Sequence, residues 1–265
     1  MMRVHNSVIH PWDYIVEPFP VADHVYYVGN RWVGSYLLDS GEGLILIDCA
    51  MPQTLYLLLD GIRSLGYDPH DIRLLLISHA HYDHAGAAEA LRRYTGAQLW
   101  LGRDDVPFIG HPELLLADPC NCPDFQVDAC YEPDQPICLG RFSIRAEHTP
   151  GHTPGAHSFF FEDTADGHTV LCGMHGGLGF NTMTDAFLDS VHLPHNLRKD
   201  FLQGLERLHE YPVQLAIGSH PSVCHMLERW QEREPGINPF ADDGSTWRAV
   251  MEDRIQAFKE QFPDV

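Results

Sequence analysis

Nine residues in the first third of the chain constrain its fold most, because they place several metal-binding side chains where a strand ends. The segment reads Ser78-His79-Ala80-His81-Tyr82-Asp83-His84-Ala85-Gly86 and follows an apolar run, 73–77. Residues two apart on an extended chain point the same way and lie about 6.6 Å apart, so His79 and His81 can converge on one metal ion. Asp83 and His84 fall in the turn into a helix and aim just beside that point. Imidazole and carboxylate donors at this density are typical of zinc sites.

The alternative interpretation of this segment is a polar turn that caps a helix and holds histidines by coincidence. Three histidines and an aspartate within six residues, directly after an apolar strand, argue against it. The segment therefore predicts a metal site at a strand-to-helix junction.

Two later segments offer one histidine each. In Thr149-Pro150-Gly151-His152-Thr153-Pro154-Gly155, two Pro-Gly signals predict a tight loop of low entropy, which a metal ligand on a loop requires. Gly218-Ser219-His220-Pro221 places a histidine at the carboxyl end of another apolar strand. Read alone, the first segment is also compatible with a plain turn, and a surface histidine is the better interpretation of His220.

The apolar periodicity predicts strands and helices in both halves of the chain. Runs at 24–28, 33–38 and 44–47, separated by Gly and Asn turns, predict an antiparallel meander. A leucine stripe predicts a helix over 52–66. Further strands are predicted at 73–77, 97–101, 137–146, 156–162, 169–172 and 214–218, and further helices at 85–94, 196–211, 223–232 and 245–262. Because strands and then a helix occur in each half, we expect two sheets packed face to face with helices outside.

Chain length and composition limit the number of domains. At 265 residues, with 44% hydrophobic and 20% charged residues, one large domain over 1–265 is favoured. The stretch 102–136 is rich in Pro, Asp and Cys without a sustained period, so an irregular insertion is expected there.

The charge balance limits the partners. Seventeen Lys and Arg against 37 Asp and Glu give a net charge of −20, which repels phosphate backbones and predicts no nucleic-acid partner. No segment approaches the ~20 apolar residues of a membrane span, so no membrane partner is expected either. Seven cysteines in a chain that needs no disulfide staples, together with the lack of a signal-peptide core, predict a cytoplasmic protein.

Together, the HxHxDH segment and the Thr149–Gly155 loop resemble the signature of the metallo-β-lactamase superfamily. The resemblance extends from the strand Leu44-Ile45-Leu46-Ile47, through Asp48, to His220. It implies an α+β fold, a four-layer αββα sandwich of two mixed β-sheets with outer helices and the metals at the open edge between the sheets. It also implies that Asp48, which follows the strand, braces the metal-binding loops and is not a ligand. A polar strand terminus is an equally good interpretation of Asp48 from sequence.

The resemblance further implies two zinc ions and a set of ligands. His79, His81 and His152 would hold the first zinc. Asp83, His84 and His220 would hold the second. Where many superfamily hydrolases carry a Gly-Asp whose carboxylate bridges both metals, this chain has Gly173-Met174. A ligand set without that bridge resembles the third subclass of metallo-β-lactamases, although that subclass is mostly exported and commonly has serines where this chain reads 175–181.

The mechanism expected from this site is hydrolysis. Two zincs sharing a water lower its pKa toward ~7, and the hydroxide attacks a carbonyl that the first zinc polarises while the second stabilises the leaving group. Asp83 would be both a ligand and the catalytic group that orients the nucleophile. Because the imidazoles must bind metal unprotonated, activity should fall below pH ~6.

The predicted enzyme is therefore a dinuclear zinc hydrolase acting on a small ester, lactone, thioester or amide. A genuine β-lactamase is the alternative. A metal-binding protein without activity, a flavodiiron-like redox protein and a nuclease are weaker alternatives. The complete ligand set argues against a metal-binding protein without activity. His81 argues against a flavodiiron-like protein, because flavodiiron proteins carry Glu at that position. The net negative charge argues against a nuclease.

A few further residues are candidates for the site with a plain structural alternative each. His175, Tyr82, Trp32 and Phe180 are candidate substrate contacts, since such pockets need apolar and polar groups beside the metals. Each could equally be a packed or hydrogen-bonded residue. The group Cys120, Cys122, Cys130 and Cys138 does not have a usual zinc spacing, so unpaired thiols are the favoured interpretation.

Overall fold

A computed structural model describes residues 5–117 and 122–265. Within these residues, twelve strands form one seven-stranded and one five-stranded sheet. The strands are β1 Phe19–Ala22, β2 Val25–Tyr27, β3 Tyr36–Asp39, β4 Leu44–Ile47, β5 Ile72–Leu76, β6 Gln98–Leu101, β7 Ala129–Cys130, β8 Ile137–Leu139, β9 Phe142–His148, β10 His157–Ala165, β11 His168–His175 and β12 Leu215–Gly218. The predicted two-sheet α+β architecture is confirmed.

The first sheet has its strands in chain order from β1 to β7. Neighbouring strands are antiparallel from β1 to β4 and parallel from β4 to β7. This confirms the predicted meander and makes the sheet mixed. The second sheet has the order β12-β11-β10-β9-β8 and is antiparallel except for the parallel pair of β11 and β12.

Eight α-helices lie in the described part of the chain. They are α1 Asn6–Ile9, α2 Leu55–Ser64, α3 Tyr82–Ala85, α4 Ala88–Thr95, α5 Asp185–Ser190, α6 Leu197–His209, α7 Met226–Gln231 and α8 Ser245–Gln261. Short 3-10 helices add Pro11–Tyr14, Pro52–Thr54, Pro69–Asp71, Arg103–Phe108 and Asn181–Met183. No helix in the described ranges is both long and apolar enough to cross a membrane.

Strand β4 shows how the layers are held together. Its alternate side chains Ile45 and Ile47 lie in the core between the two sheets, with Phe159 of β10. Leu46 points to the opposite face, where it packs with Ile62 of α2. Burial of both faces explains why β4 reads as a continuous apolar run, as expected for a strand covered on both sides. Helices α6 and α8 cover the far side of the second sheet and complete the layers.

Several boundaries differ from the sequence prediction. The single strand predicted at 137–146 is a hairpin of β8 and β9, turned at Gly140, whose φ is +51°. The helix predicted at 85–94 is α4, which begins at Ala88, and the separate short helix α3 ends at Ala85. Strand β1 was not predicted because Pro20 interrupts its pattern, and an edge strand tolerates that proline.

The cysteines of the predicted insertion are not gathered around a metal in the described residues. Cys122 is buried, Cys130 is partly buried and Cys138 is exposed, and all three are unpaired thiols. Cys120 lies outside the described residues. The candidate metal groups of the described chain contain no cysteine.

Candidate metal centre

The predicted site residues meet at one edge of the molecule because the strands before them are parallel. β4, β5 and β6 run in the same direction, so the segments after them leave the sheet at the same edge. Asp48 follows β4, and residues 79–84 follow β5. The loop between β9 and β10 supplies His152, and the segment after β12 supplies His220. Four separate segments of the first and second sheets thus converge on one place.

Three histidines form the first group. The donor atoms of His79, His81 and His152 all lie within 4.8 Å of one another, and His81 Nδ1 is 3.0 Å from His152 Nε2. His152 Nδ1 donates to the carbonyl of Gly179 at 2.7 Å. A neutral imidazole that donates through Nδ1 carries its lone pair on Nε2, so this nitrogen faces the group as an acceptor.

Asp83, His84 and His220 form a second cluster beside the first. Asp83 Oδ2 lies 3.6 Å from Nε2 of His84 and 3.6 Å from Nε2 of His220, and the two Nε2 atoms are 3.3 Å apart. The donor atoms of Asp83 and His84 also lie within 4.8 Å of that of His79, so the two groups adjoin.

The hydrogen bonds on the far side of these rings define which nitrogen is available. His84 Nδ1 contacts Asp48 Oδ2 at 2.8 Å, and His220 Nδ1 donates to the carbonyl of Trp32 at 2.6 Å. In the neutral rings, both Nε2 atoms are then acceptors, and they face each other and a carboxylate oxygen of Asp83. Three acceptors that converge without a donor are stabilised by a cation between them.

Asp48 lies behind the site, fully buried, and contacts two parts of it. Its carboxylate accepts from the backbone N–H of Ser78 at 2.7 Å and from the Ser78 hydroxyl at 2.8 Å, besides its contact with His84. Because the Ser78 hydroxyl donates to Asp48, it accepts from His79 Nδ1, 3.1 Å away. That leaves the lone pair of His79 on Nε2. Asp48 thus contacts His84 directly and His79 through Ser78, and its role as a support for the metal-binding loops stays a prediction.

The electrostatics of His79, His81 and His152 favour neutral rings at pH 7, whereas those of His84 act in the opposite direction. Burial lowers the pKa of His79 and His81 well below the ordinary value of a histidine, and neighbouring histidines lower it further. Burial also lowers the pKa of His152 to about 4. For His84, burial lowers the pKa, but the carboxylates of Asp83 and Asp48 outweigh it and the net direction is upward. Neutral imidazoles are the form that binds metal.

One atom tests directly whether these residues fit a metal ion. His79 Nε2 is buried and has no hydrogen-bond partner. An unpaired buried acceptor costs about 1–3 kcal/mol, so such an atom in a cluster of nitrogen and oxygen donors is explained by a cation. The nitrogen and oxygen atoms that could bind a metal lie 3.0–3.6 Å apart. These distances are close to the ~3.4 Å between two ligand atoms of a tetrahedral zinc site with metal–ligand bonds of ~2.0–2.1 Å. The residues present therefore fit a metal ion.

The candidate substrate contacts lie in different surroundings. Trp32 lies beside the second cluster, with its ring 6.0 Å from that of His220 and 6.1 Å from that of Tyr82. Phe180 packs against Phe201 and Phe258 of α6 and α8, which are core contacts. These contacts give no support to a place for Phe180 in a cleft wall.

The end of β11 places Met174, and no carboxylate, beside the two clusters. Met174 is fully buried in the core between the sheets. The next residue, His175, is also buried, and its Nδ1 accepts from the N–H of Gly177 at 3.2 Å. Burial lowers the pKa of His175 to about 3. His175 belongs to neither candidate metal group, and its role in substrate binding stays a prediction.

One buried carboxylate at the site was missed in the sequence analysis. Asp105, in the 3-10 helix after β6, accepts hydrogen bonds from Ala80, Thr153 and Gly155. Burial raises its pKa to about 6, against these three bonds, which favour the ionised form. The available signal was its position after β6, since β6 is parallel to β5 and ends at the same edge.

The chain is similar to known proteins over most of its length. Residues 33–257 match the family model described as the metallo-beta-lactamase superfamily. BJP-1, a subclass B3 metallo-beta-lactamase of Bradyrhizobium japonicum, has 27% identity and a TM-score of 0.82, with 97% of each chain covered. The native FEZ-1 metallo-beta-lactamase of Legionella gormanii has 25% identity and a TM-score of 0.85, with 94% of this chain and 96% of FEZ-1 covered.

A curated relative has a different printed activity. The N-acyl homoserine lactonase of Bacillus sp is 27% identical over 162 residues, which are 52% of this chain and 62% of the lactonase. The chain thus spans about three fifths of the length of that curated relative.

Proposed function

We propose that this chain, which belongs to the metallo-beta-lactamase superfamily, is a hydrolase that uses two zinc ions to cleave a small ester, lactone, thioester or amide. The observation that carries the proposal is the pair of adjoining clusters in which imidazole nitrogens and a carboxylate oxygen face one another. Two separate sets of donors at this spacing support two ions better than one.

The first ion would be held by His79, His81 and His152. The second would be held by Asp83, His84 and His220. Imidazole at position 81 favours zinc over iron, because a carboxylate there would present a harder ligand. Met174 is buried in the core and offers no carboxylate between the clusters, so each ion depends on its own three ligands.

When bound, the metals would lower the pKa of a water molecule and polarise the carbonyl of the substrate. The chain's own residues orient these groups. Asp48 holds the rings of His84 and, through Ser78, His79 in position. Asp83 directs Oδ2 at the second cluster, and its other oxygen would orient the attacking water against the carbonyl carbon. Trp32 would form a wall beside this position and limit the access of bulk water.

The substrate class is supported from two directions. The similarity to the N-acyl homoserine lactonase supports a lactone, which is a cyclic ester. A genuine β-lactamase is the second candidate, and the overlap with two metallo-beta-lactamases over 94–97% of this chain favours it. A small-molecule substrate is common to both. A cytoplasmic location also stays a prediction.

A parallel screen of the zinc-loaded protein tests the proposed function. The substrates are a chromogenic cephalosporin, an acyl-homoserine lactone and an acyl-glutathione thioester. We expect turnover of the lactone or the thioester, and the variant His81→Ala should be inactive on the same substrate. Turnover of the cephalosporin alone would favour the β-lactamase. If the fully zinc-loaded protein turns over none of the three substrates, the proposal is contradicted.

Metal content is the most direct prediction of the proposed site. Elemental analysis after zinc-replete expression should find about two zinc ions per chain, because six donors in two clusters are available. The control variant Asp60→Asn, at an exposed position on α2, should bind as much zinc as the wild type. One iron-rich site with redox activity would contradict the assignment.

A further inference from the structure

Asp105 connects the two loops that carry the three histidines of the first group. It lies in the 3-10 helix Arg103–Phe108, and its side chain is fully buried. Both carboxylate oxygens accept hydrogen bonds. Oδ2 accepts from the backbone N–H of Ala80 at 2.9 Å and from the hydroxyl of Thr153 at 2.7 Å, and Oδ1 accepts from the N–H of Gly155 at 2.6 Å.

The positions of these three donors matter. Ala80 lies between His79 and His81, and Thr153 directly follows His152. One carboxylate therefore binds both segments, which are about seventy residues apart in the chain. Hydrogen bonds to an ionised carboxylate are about twice as strong as neutral ones, so this connection is tight.

The segments around Asp105 are also shaped for close contact. A Cβ atom at Gly155 would lie 2.4 Å from the backbone nitrogen of Asp105 and 2.7 Å from its Oδ1. A Cβ atom at Gly102 would lie 1.9 Å from the carbonyl oxygen of Gly155. Only glycine allows this approach, so the backbone packing and the hydrogen bonds define the same geometry independently.

Asp48 and Asp105 contact different parts of the site. Asp48 contacts Ser78 and His84, whereas Asp105 contacts the chain between His79 and His81 and the loop that carries His152. Of these two carboxylates, only Asp105 makes hydrogen bonds to both loops. Asp105 therefore directly controls the distance between them. Metal affinity is sensitive to that distance, because a metal site tolerates ligand displacements of only about 0.2 Å.

We infer that Asp105 is a positioning residue for the three-histidine site, which sets its metal affinity by holding the two histidine loops together. Asp105 does not touch metal or substrate. The inference rests on the proposed function, since it requires that these histidines bind a metal ion.

A competition experiment with a chromophoric zinc chelator tests the inference. It measures two zinc dissociation constants, one for each site of the chain. His152→Ala identifies which constant belongs to the three-histidine site. We expect Asp105→Ala to raise that constant by about 10- to 100-fold and to leave the other within about threefold. Asp105→Asn should give an intermediate rise, because its amide places an N–H against one of the three donors.

A matched control and a milder variant complete the design. Asp104→Asn, at the neighbouring exposed position, should change neither constant. Thr153→Val removes one hydrogen-bond donor and leaves the Asp105 carboxylate in place, so it should raise the zinc dissociation constant of the three-histidine site by roughly 3- to 10-fold. This milder variant keeps the test valid if Asp105→Ala does not fold.

The outcomes separate the inference from the proposed function. An equal rise of both constants with a lower melting temperature would show a general structural role and overturn the inference. Unchanged constants in Asp105→Ala, with two zinc ions in the wild type, would overturn the inference alone. A wild type that binds no zinc would overturn both.

Discussion

Asp83→Asn should lower kcat by about 10²- to 10⁴-fold while the protein stays folded. The carboxylate has two proposed tasks, since Oδ2 lies 3.6 Å from Nε2 of both His84 and His220 and the other oxygen would orient the attacking water. The amide removes the negative charge of the ligand and replaces one acceptor oxygen with a donor. Steady-state kinetics on the substrate found in the screen, together with circular dichroism, measure both effects.

The control for Asp83→Asn is a carboxylate outside the site. Asp60→Asn removes one exposed carboxylate on α2 and should keep wild-type turnover. A KM that rises while kcat stays unchanged would place Asp83 in substrate binding alone. Turnover close to the wild type in Asp83→Asn would exclude it from the mechanism.

His220→Ala should lose the second zinc selectively and lower kcat/KM by about 10²-fold or more. Its Nε2 is the nitrogen that completes the cluster of Asp83 and His84, at 3.6 Å and 3.3 Å. Met174 is buried in the core and supplies no replacement ligand. Two remaining ligands hold zinc weakly, whereas the first site keeps His79, His81 and His152. Elemental analysis should therefore find about one zinc per chain.

His175→Ala is the matched comparison for His220→Ala. Both residues are histidines near the site, but Nε2 of His220 lies 3.6 Å from Asp83 Oδ2 and 3.3 Å from Nε2 of His84, whereas Nδ1 of His175 accepts from the N–H of Gly177. The variant His175→Ala should therefore keep two zinc ions. If His175→Ala loses the second zinc, or His220→Ala keeps it, the wrong histidine has been assigned to that ion.

The sequence by itself predicted those features that depend on neighbouring residues. Continuous runs of apolar side chains indicated β4 and β5, and the spacing of residues 79–84 after β5 indicated a metal site. Pro and Gly around His152 indicated a tight loop. These signals are local, because strand, turn and helix start are determined by backbone preferences of a few consecutive residues. The resemblance added Asp48 and His220, whose own local patterns also fit other interpretations.

The tertiary structure alone decided which distant segments meet. The contact of Asp48 with His84, the bonds of Asp105 to Ala80 and Thr153, and the placement of Phe180 against α6 and α8 all join residues from separate elements. No periodicity records such contacts, since they depend on strand order, on the parallel direction of β4, β5 and β6, and on how the two sheets pack. A polar residue after a strand is ambiguous in sequence and becomes a support for a metal loop only when packing brings that loop within hydrogen-bond distance.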